Sequence, residues 1–435
     1  MKNMITILTI SLTIFIINIS SAESQPSDIE SLKTLINEQQ KTINELQNLV
    51  QKQNEQIQFI LSRVETIEVE QEEVDKKSNQ LSESNSIADW IEDVKIGGDL
   101  RLRYENIYDD DKDNYRNRLR IRARLKLDGK VNDEIDLHFR LASGSESPVG
   151  VNQTLDDAFS SKTIWLDHAY FDYHPEWFAG LSIWGGKMQN PFYKPQKTQL
   201  IWDNDLSPEG VAFKYYKNFD PFEVFANSGG FYIDERSSDA DSALFGIQSG
   251  LKYNFEELDA YLQGGAGYYY FTHTEGYKCF YDSDDSHGNS ATPEVVGSSD
   301  LLYLDEYHLL EIFAELGFSI SDIPVSLFGD YVRNTGADDE DTGWLAGFKI
   351  NQCKKPGSWE LVYNYRDLEQ NAILGIFADS DFISGGTGVK GHKFTAGYQI
   401  SDGWMAAISC FINKRDWDND ENDFRKFQLN LNYKF

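Results

Sequence analysis

The densest chemistry in this chain is a cationic run at every second position: Arg118, Arg120, Arg122, Arg124 and Lys126. Arg101 and Arg103 precede it, and His138 and Arg140 follow at the same two-residue spacing. Residues two apart share one face of a β-strand, so the spacing predicts a continuous basic surface. Such a surface attracts anions or orients dipolar solutes. The same residues also suit a structural cluster, paired with lumenal acids or with outer lipid phosphates. A second group sits in the segment 189–206, which holds Tyr193, Lys194, Lys197, Trp202, Asp203 and Asp205. If this segment folds against the arginines, Asp203 and Asp205 oppose them and set a transverse field. The other reading is an ordinary surface loop.

Other candidate chemistry is sparse. No G-x-S-x-G, H-E-x-x-H or phosphate-loop pattern occurs. Asp167 and His168 are adjacent, so on a strand their side chains point to opposite faces. No enzyme, cofactor or metal centre is expected. The spacing Asp416-x-Asp418-x-Asp420 looks like a calcium loop but lacks Gly at the sixth position and Glu at the twelfth. These acids, with Asp109-Asp110-Asp111, Asp338-Asp339-Glu340-Asp341, Glu421 and Asp423, read as solvated loops or loose bridges to divalent cations. Cys279, Cys353 and Cys410 are odd in number, far apart and form no disulfide framework.

The elements that must carry these residues follow from composition and period. The chain has 435 residues, a net charge of -31 and 14% aromatic side chains. Its mean hydropathy is -0.50, which excludes a bundle of membrane helices, and the excess of acids argues against nucleic acid as a partner. Polar on average yet rich in aromatics and Gly is the profile of an outer-membrane barrel, where only alternate residues face lipid. From Lys95 onward, runs of about ten residues alternate apolar with polar. They predict sixteen antiparallel strands, at 95–107, 115–129, 133–143, 162–173, 178–188, 207–218, 222–233, 242–254, 258–272, 305–320, 324–334, 342–353, 357–368, 389–400, 403–414 and 424–435. The connections alternate short and long, as periplasmic turns and outer loops do. With Leu100, Leu102, Leu119, Ile121, Leu125, Leu137 and Phe139 towards lipid, the basic residues face the lumen. A cation on the lipid face would cost ~2–4 kcal/mol at the midplane. Tyr268, Tyr269, Tyr270, Tyr363 and Tyr365 are expected in the interfacial girdle.

The N-terminal part is different. Residues 1–22 read as a signal peptide, with Lys2, an apolar stretch from Ile5 to Ile19 and Ser20-Ser21-Ala22 at the cleavage site. Residues 23–75 carry a heptad thread. Ile29, Ile36, Ile43, Val50, Ile57 and Val64 occupy a, and Leu32, Leu46, Ile60, Ile67 and Val74 occupy d, with Gln39, Gln53 and Gln71 interrupting the seam. This predicts an α-helical coiled coil, and Ile at a and d favours three or four strands over two. Residues 76–94 read as a linker, and 95–435 as the barrel.

The last strand is the most specific signal. Phe427, Leu429, Leu431, Tyr433 and Phe435 alternate with Gln428, Asn430, Asn432 and Lys434, and a closing aromatic resembles the insertion signal of outer-membrane barrels. Together with Ile96-Gly97-Gly98-Asp99-Leu100-Arg101-Leu102-Arg103-Tyr104, and with Asp167-His168-Ala169-Tyr170, Gly185-Gly186-Lys187 and Asn190-Pro191-Phe192, this architecture is similar to the coiled-coil-bearing Putative porin family of Gram-negative bacteria. The resemblance spans essentially all the chain after the signal peptide. It implies an outer-membrane channel for small hydrophilic solutes or ions, biased towards anions such as phosphate in one alternative. It also implies a homotrimer held through coiled coil and barrel walls, insertion by the barrel-assembly machinery, and contact with lipid and lipopolysaccharide. A different reading makes the chain an envelope tether, its periplasmic helix reaching towards peptidoglycan.

Overall fold

The computed structural model describes residues 30, 33–34, 36–59, 63, 93–110, 114–417 and 420–435. The signal peptide, nearly all of the linker, and Ile29, Leu32, Ile60, Val64, Ile67 and Val74 of the heptad thread lie outside these residues. So do Asp111, Asp418 and the side chains of Asp416, Asp420 and Glu421.

Residues 36–59 form one α-helix, ~36 Å long at 1.5 Å per residue. Its a-row is open to solvent in the single chain: Ile36, Ile43, Val50 and Ile57 are 46–55% exposed.

Sixteen strands form the second unit. They are β1 (Asp93–Asp109), β2 (Asn114–Asn132), β3 (Ile135–Ser143), β4 (Ile164–Tyr173), β5 (Leu181–Lys187) and β6 (Glu209–Phe219). Next come β7 (Phe222–Asp234), β8 (Ser242–Phe255), β9 (Ala260–Phe271), β10 (His308–Ile320) and β11 (Ile323–Asn334). The last are β12 (Thr342–Asn351), β13 (Trp359–Leu368), β14 (Val389–Gln399), β15 (Trp404–Trp417) and β16 (Asp420–Lys434). Each pairs antiparallel with its neighbours, and β1 pairs with β16 from Asp99↔Lys434 to Asp109↔Phe424, closing the barrel. Closure is reinforced beyond the last strand, where Gly98 and Phe435 exchange backbone bonds of 3.0 and 3.2 Å.

The period of two sorts every strand into two faces. On β10, Leu309, Glu311, Phe313 and Glu315 are buried inside, while Leu310, Ile312 and Leu316 stand exposed on the outer wall. The outer wall is thus apolar and the lumen mixed, as expected for strands between lipid and a filled interior. Aromatics ring both rims of that wall: Trp359, Tyr398, Trp404 and Phe435 at the end where the chain enters, and Tyr115, Tyr232, Tyr268, Tyr270 and Trp344 at the other.

Three expectations change. The alternation of connections is real only in part. At the entry end the turns are short (133–134, 174–180, 220–221, 256–259, 321–322, 352–358 and 400–403), but at the opposite end 110–113, 235–241, 335–341 and 418–419 are short as well. Four segments there are long: 144–163, 188–208, 272–307 and 369–388. Tyr269 does not belong to the girdle. Its parity turns it inward, where it is fully buried and donates to Glu311 at 2.7 Å. Nor do Asp167 and His168 face opposite ways. The β3–β4 register slips between Arg140 and Leu141, and this bulge, which sets two residues against one, turns both side chains inward and buries them.

The hydrophobic core lies inside the lumen. Trp202, from the segment 188–208, packs 5.1 Å from Tyr269, 6.0 Å from Phe192 and 6.4 Å from Phe377 of the segment 369–388. Ile373, Leu374, Ile376, Phe382 and Ile383 are buried beside it, each such burial contributing roughly 1.5–3 kcal/mol. Asn289, from the segment 272–307, donates to the carbonyls of Gln370 and Ile373 at 2.8 and 2.7 Å. Three long loops are therefore interlocked within the barrel.

Candidate functional site

The basic residues of β1–β3 line one side of the lumen, and acids of the same strands interleave with them. Asp99 takes Arg122 and Arg124, each at 2.7 Å. Glu105 takes Arg118, Arg103 at 3.3 Å and Arg120 at 3.7 Å. Lys126 pairs with Asp128 at 2.8 Å, Arg140 with Asp167 at 2.5 Å, and His138 lies 2.6 Å from Asp128 while stacking on Tyr170. Arg101 donates to Asn152 of the segment 144–163. The row is thus a partly neutralised lattice, with Arg103, Arg118, Arg120, Arg122 and Arg124 shared between two strand carboxylates and acids that arrive from loops.

The segment 188–208 folds into the lumen and brings one of those acids. Asp205 comes within 3.8 Å of Arg124. Asp203 is buried a step behind it and joins two loops: its carboxylate accepts the N–H groups of Asp205 at 2.7 Å and Ser380 at 2.8 Å, and its own N–H donates to Phe377 at 2.9 Å. Burial, with Asp205 and Asp379 adding like charge, pushes the Asp203 carboxyl up to about 7. Lys194 donates to Asn204 at 2.5 Å and to the carbonyls of Trp202 and Asp203 at 3.4 Å. Burial pulls its ammonium down to about 8, against the pull of Asp203. Lys197 is exposed. Across the lumen, Tyr193 and Gln196 tie the same segment to Glu315 of β10 at 2.9 and 2.6 Å.

The strongest carboxylates come from the segment 369–388, which the sequence reading passed over. Asp379 accepts from Arg366 of β13 at 3.1 Å and Lys393 of β14 at 3.3 Å. Asp381 accepts Arg103 of β1 and Gln428 of β16, both at 2.9 Å, while Lys426 donates to its carbonyl at 2.7 Å. Burial would raise both carboxyls. For Asp379, Lys393 and Arg366 outweigh it and hold the group low; for Asp381, Arg103 and Lys426 hold it well below the usual carboxylate range. A signal for this loop was present: the apolar run Ala372-Ile373-Leu374-Gly375-Ile376-Phe377 is out of place in a solvated outer loop.

The predicted insertion-signal residues lie at the closing seam. Tyr433, Leu431 and Leu429 stand opposite Leu100, Leu102 and Tyr104 of β1 on the outer wall, while Gln428 and Asn430 are buried inside. Altogether, wall arginines and loop carboxylates meet across a lumen narrowed by loops. Such an arrangement can hold ions and align polar solutes.

A family model described as Putative porin matches residues 107–292 and 303–435. No curated protein matches the chain in sequence. Similar solved structures include OprB of Pseudomonas putida, 11% identical with a TM-score of 0.50, covering 79% of this chain and 94% of that one. A loop L8 deletion mutant of OmpT, an outer-membrane protein of Vibrio cholerae, is 14% identical with a TM-score of 0.46, covering 79% and 99%. The outer-membrane channel DcaP of Acinetobacter baumannii is 13% identical with a TM-score of 0.45, covering 79% and 97%. At these identities the likeness is one of fold.

Proposed function

The chain belongs to the Putative porin family and is an integral outer-membrane channel, and from that premise we propose that small hydrophilic solutes and ions cross it by passive diffusion. The observation that carries this reading is the pairing of wall and loop charges, Arg124 with Asp205 and Arg103 with Asp381. Fixed charges of both signs at a narrowing hold a field across the path, which aligns dipolar solutes while excluding bulky ones. Planar-bilayer recording in a salt gradient tests it. Ohmic current with weak selectivity is expected, the reversal potential moving towards cations in Arg120→Gln/Arg122→Gln and towards anions in Asp205→Asn. A folded barrel that passes no current would overturn the reading.

In this reading the entry end, where β1 begins, is periplasmic, and so is the helix 36–59. The solvent-open a-row of that helix supports assembly as a homotrimer through the heptad seam and the barrel walls. Light scattering of the detergent-solubilised protein should give three chains, and Ile43→Asn/Ile57→Asn should lower that number. An unchanged trimer would remove the helix from the assembly. The same reading proposes lipid and lipopolysaccharide as partners of the apolar outer wall, the barrel-assembly machinery as partner of the seam residues through Phe435, and peptidoglycan as partner of the helix. Envelope defects on deleting residues 24–80, with conductance unchanged, would make the helix a tether.

A further inference from the structure

The loops that fill the lumen leave a cavity of about 290 Å³ at the end opposite chain entry. One wall is β2, presenting Arg116, Arg118 and Arg120 from alternate positions, and loop residues His287, Ser380 and Ser384 close the other side. Glu105 partly offsets the arginines, taking Arg118 and lying 3.7 Å from Arg120. Arg120 also donates through Nη2 to the carbonyl of Asn152 at 3.1 Å. Asp285 lies 3.7 Å from Nδ1 of His287. Arg118 and Arg120 thus share Glu105 with Arg103, Arg116 adds a further charge at the rim, and the surplus on the strand side is positive.

Two buried nitrogens in this lining have no hydrogen-bond partner, Nε of Arg120 and Nε2 of His287. A buried donor left unmade costs roughly 1–3 kcal/mol, and a guanidinium cannot shed its proton to escape that cost. Arg120 and His287 both line this cavity, so an acceptor-rich guest there meets the guanidinium and a ring that donates from Nε2 when protonated. Guanidinium forks match the paired oxygens of carboxylate and phosphate. The volume, at the lower end for ligand pockets, suits a guest of few atoms. Below the cavity the same face of β2 continues to Arg122 and Arg124, ~7 Å further per pair of residues.

We propose that this cavity binds a small oxyanion carrying two negative charges, a phosphate or a dicarboxylate, at the outer mouth of the channel. Its part in transport rests on the diffusion reading above; the binding itself does not. The arginines and His287 replace the hydration shell of the anion, and Arg122 and Arg124 receive it next on the way down.

Isothermal titration of the full chain, folded in detergent at pH 8, tests the site with inorganic phosphate and, separately, succinate. Saturable binding of at least one is expected, weakened tenfold or more in Arg116→Gln/Arg120→Gln and about threefold in His287→Asn. The slower gel migration of the folded barrel after boiling controls for folding of each variant. Binding to neither anion, or equal binding by the double variant and the parent, overturns the proposal. Chloride current in a bilayer separates the two claims. Current without anion binding keeps the channel and removes the site, whereas binding without current keeps the site and removes the channel.

Discussion

Replacing Asp379 by Asn should free the segment 369–388 without unfolding the barrel. Asp379 is 1% exposed and its partners Arg366 and Lys393 are 2% and 21% exposed. Its Oδ2 accepts from both cations, and Oδ1 accepts the N–H of Asp381 at 3.0 Å. Asn keeps the shape and the acceptor for Asp381 but removes the charge, so Arg366 stays buried without its direct ion-pair partner. Removing one partner of a buried pair costs about 3–5 kcal/mol, far above the 0–1 kcal/mol of an exposed pair. At ~1.4 kcal/mol per factor of ten, the detached loop becomes on the order of a hundred- to several-thousand-fold more populated. Limited chymotrypsin digestion reads this directly, because Leu374, Phe377 and Phe382 are cut only when the loop leaves the lumen. When opening is fast compared with cleavage, the rate follows the open population. Nicking should accelerate at least a hundredfold, while Asp338→Asn, on an exposed loop, changes it little. Nicking within threefold of the parent would refute the claim that a buried ion pair holds this loop.

Two further outcomes follow from neighbouring features. The Asp203 carboxyl is raised in the folded loop to about 7 from 3.8, so its contribution is whole below 3.8 and is lost as pH rises through about 7. Hydrogen exchange of peptides covering 188–208, corrected for intrinsic rates, should show opening that increases up to about tenfold per pH unit from pH 5 to 7, and Asp203→Asn should abolish the trend; an unchanged slope would assign it elsewhere. At the closing seam, a Cβ on Gly98 would run into the carbonyl of Arg124 and the ring of Phe435. Gly98→Val should therefore lower barrel stability by about 1–3 kcal/mol, read by urea titration of tryptophan fluorescence, and an unshifted midpoint would show that both the β2 backbone and the ring give way freely.

The barrel was legible because its signal is local. Each strand announces itself within about ten residues through alternation, so Leu100, Leu102 and Leu119 could be set against Arg101, Arg103 and Arg118 before any pairing was known. Parity carried more than was taken from it. Asp99 and Glu105 share the face of Arg101 and Arg103, and that alone indicates a lattice of mixed charge instead of a bare basic wall. What lay beyond reach was the filling of the lumen. The partners of Asp379 and Asp381 come from β1, β13, β14 and β16, and no spacing within 369–388 encodes them. Tyr269 was misplaced because three tyrosines in a row were given one role, although neighbours on a strand alternate faces. The bulge that turns Asp167 and His168 to the same side leaves no mark in their own residue types.

The partners of Asp381 are drawn from both ends of the barrel sequence, Arg103 from β1 and Gln428 and Lys426 from β16. These strands become neighbours only when the cylinder shuts, so the seat of Asp381, unlike that of Asp379 on β13 and β14, is completed by closure. The coupling runs both ways. Whatever prises the loop from its seat removes a brace from the join between first and last strands, and whatever parts that join unseats the loop. Aperture and hoop integrity are in this sense coupled, and Asp381 is where they meet.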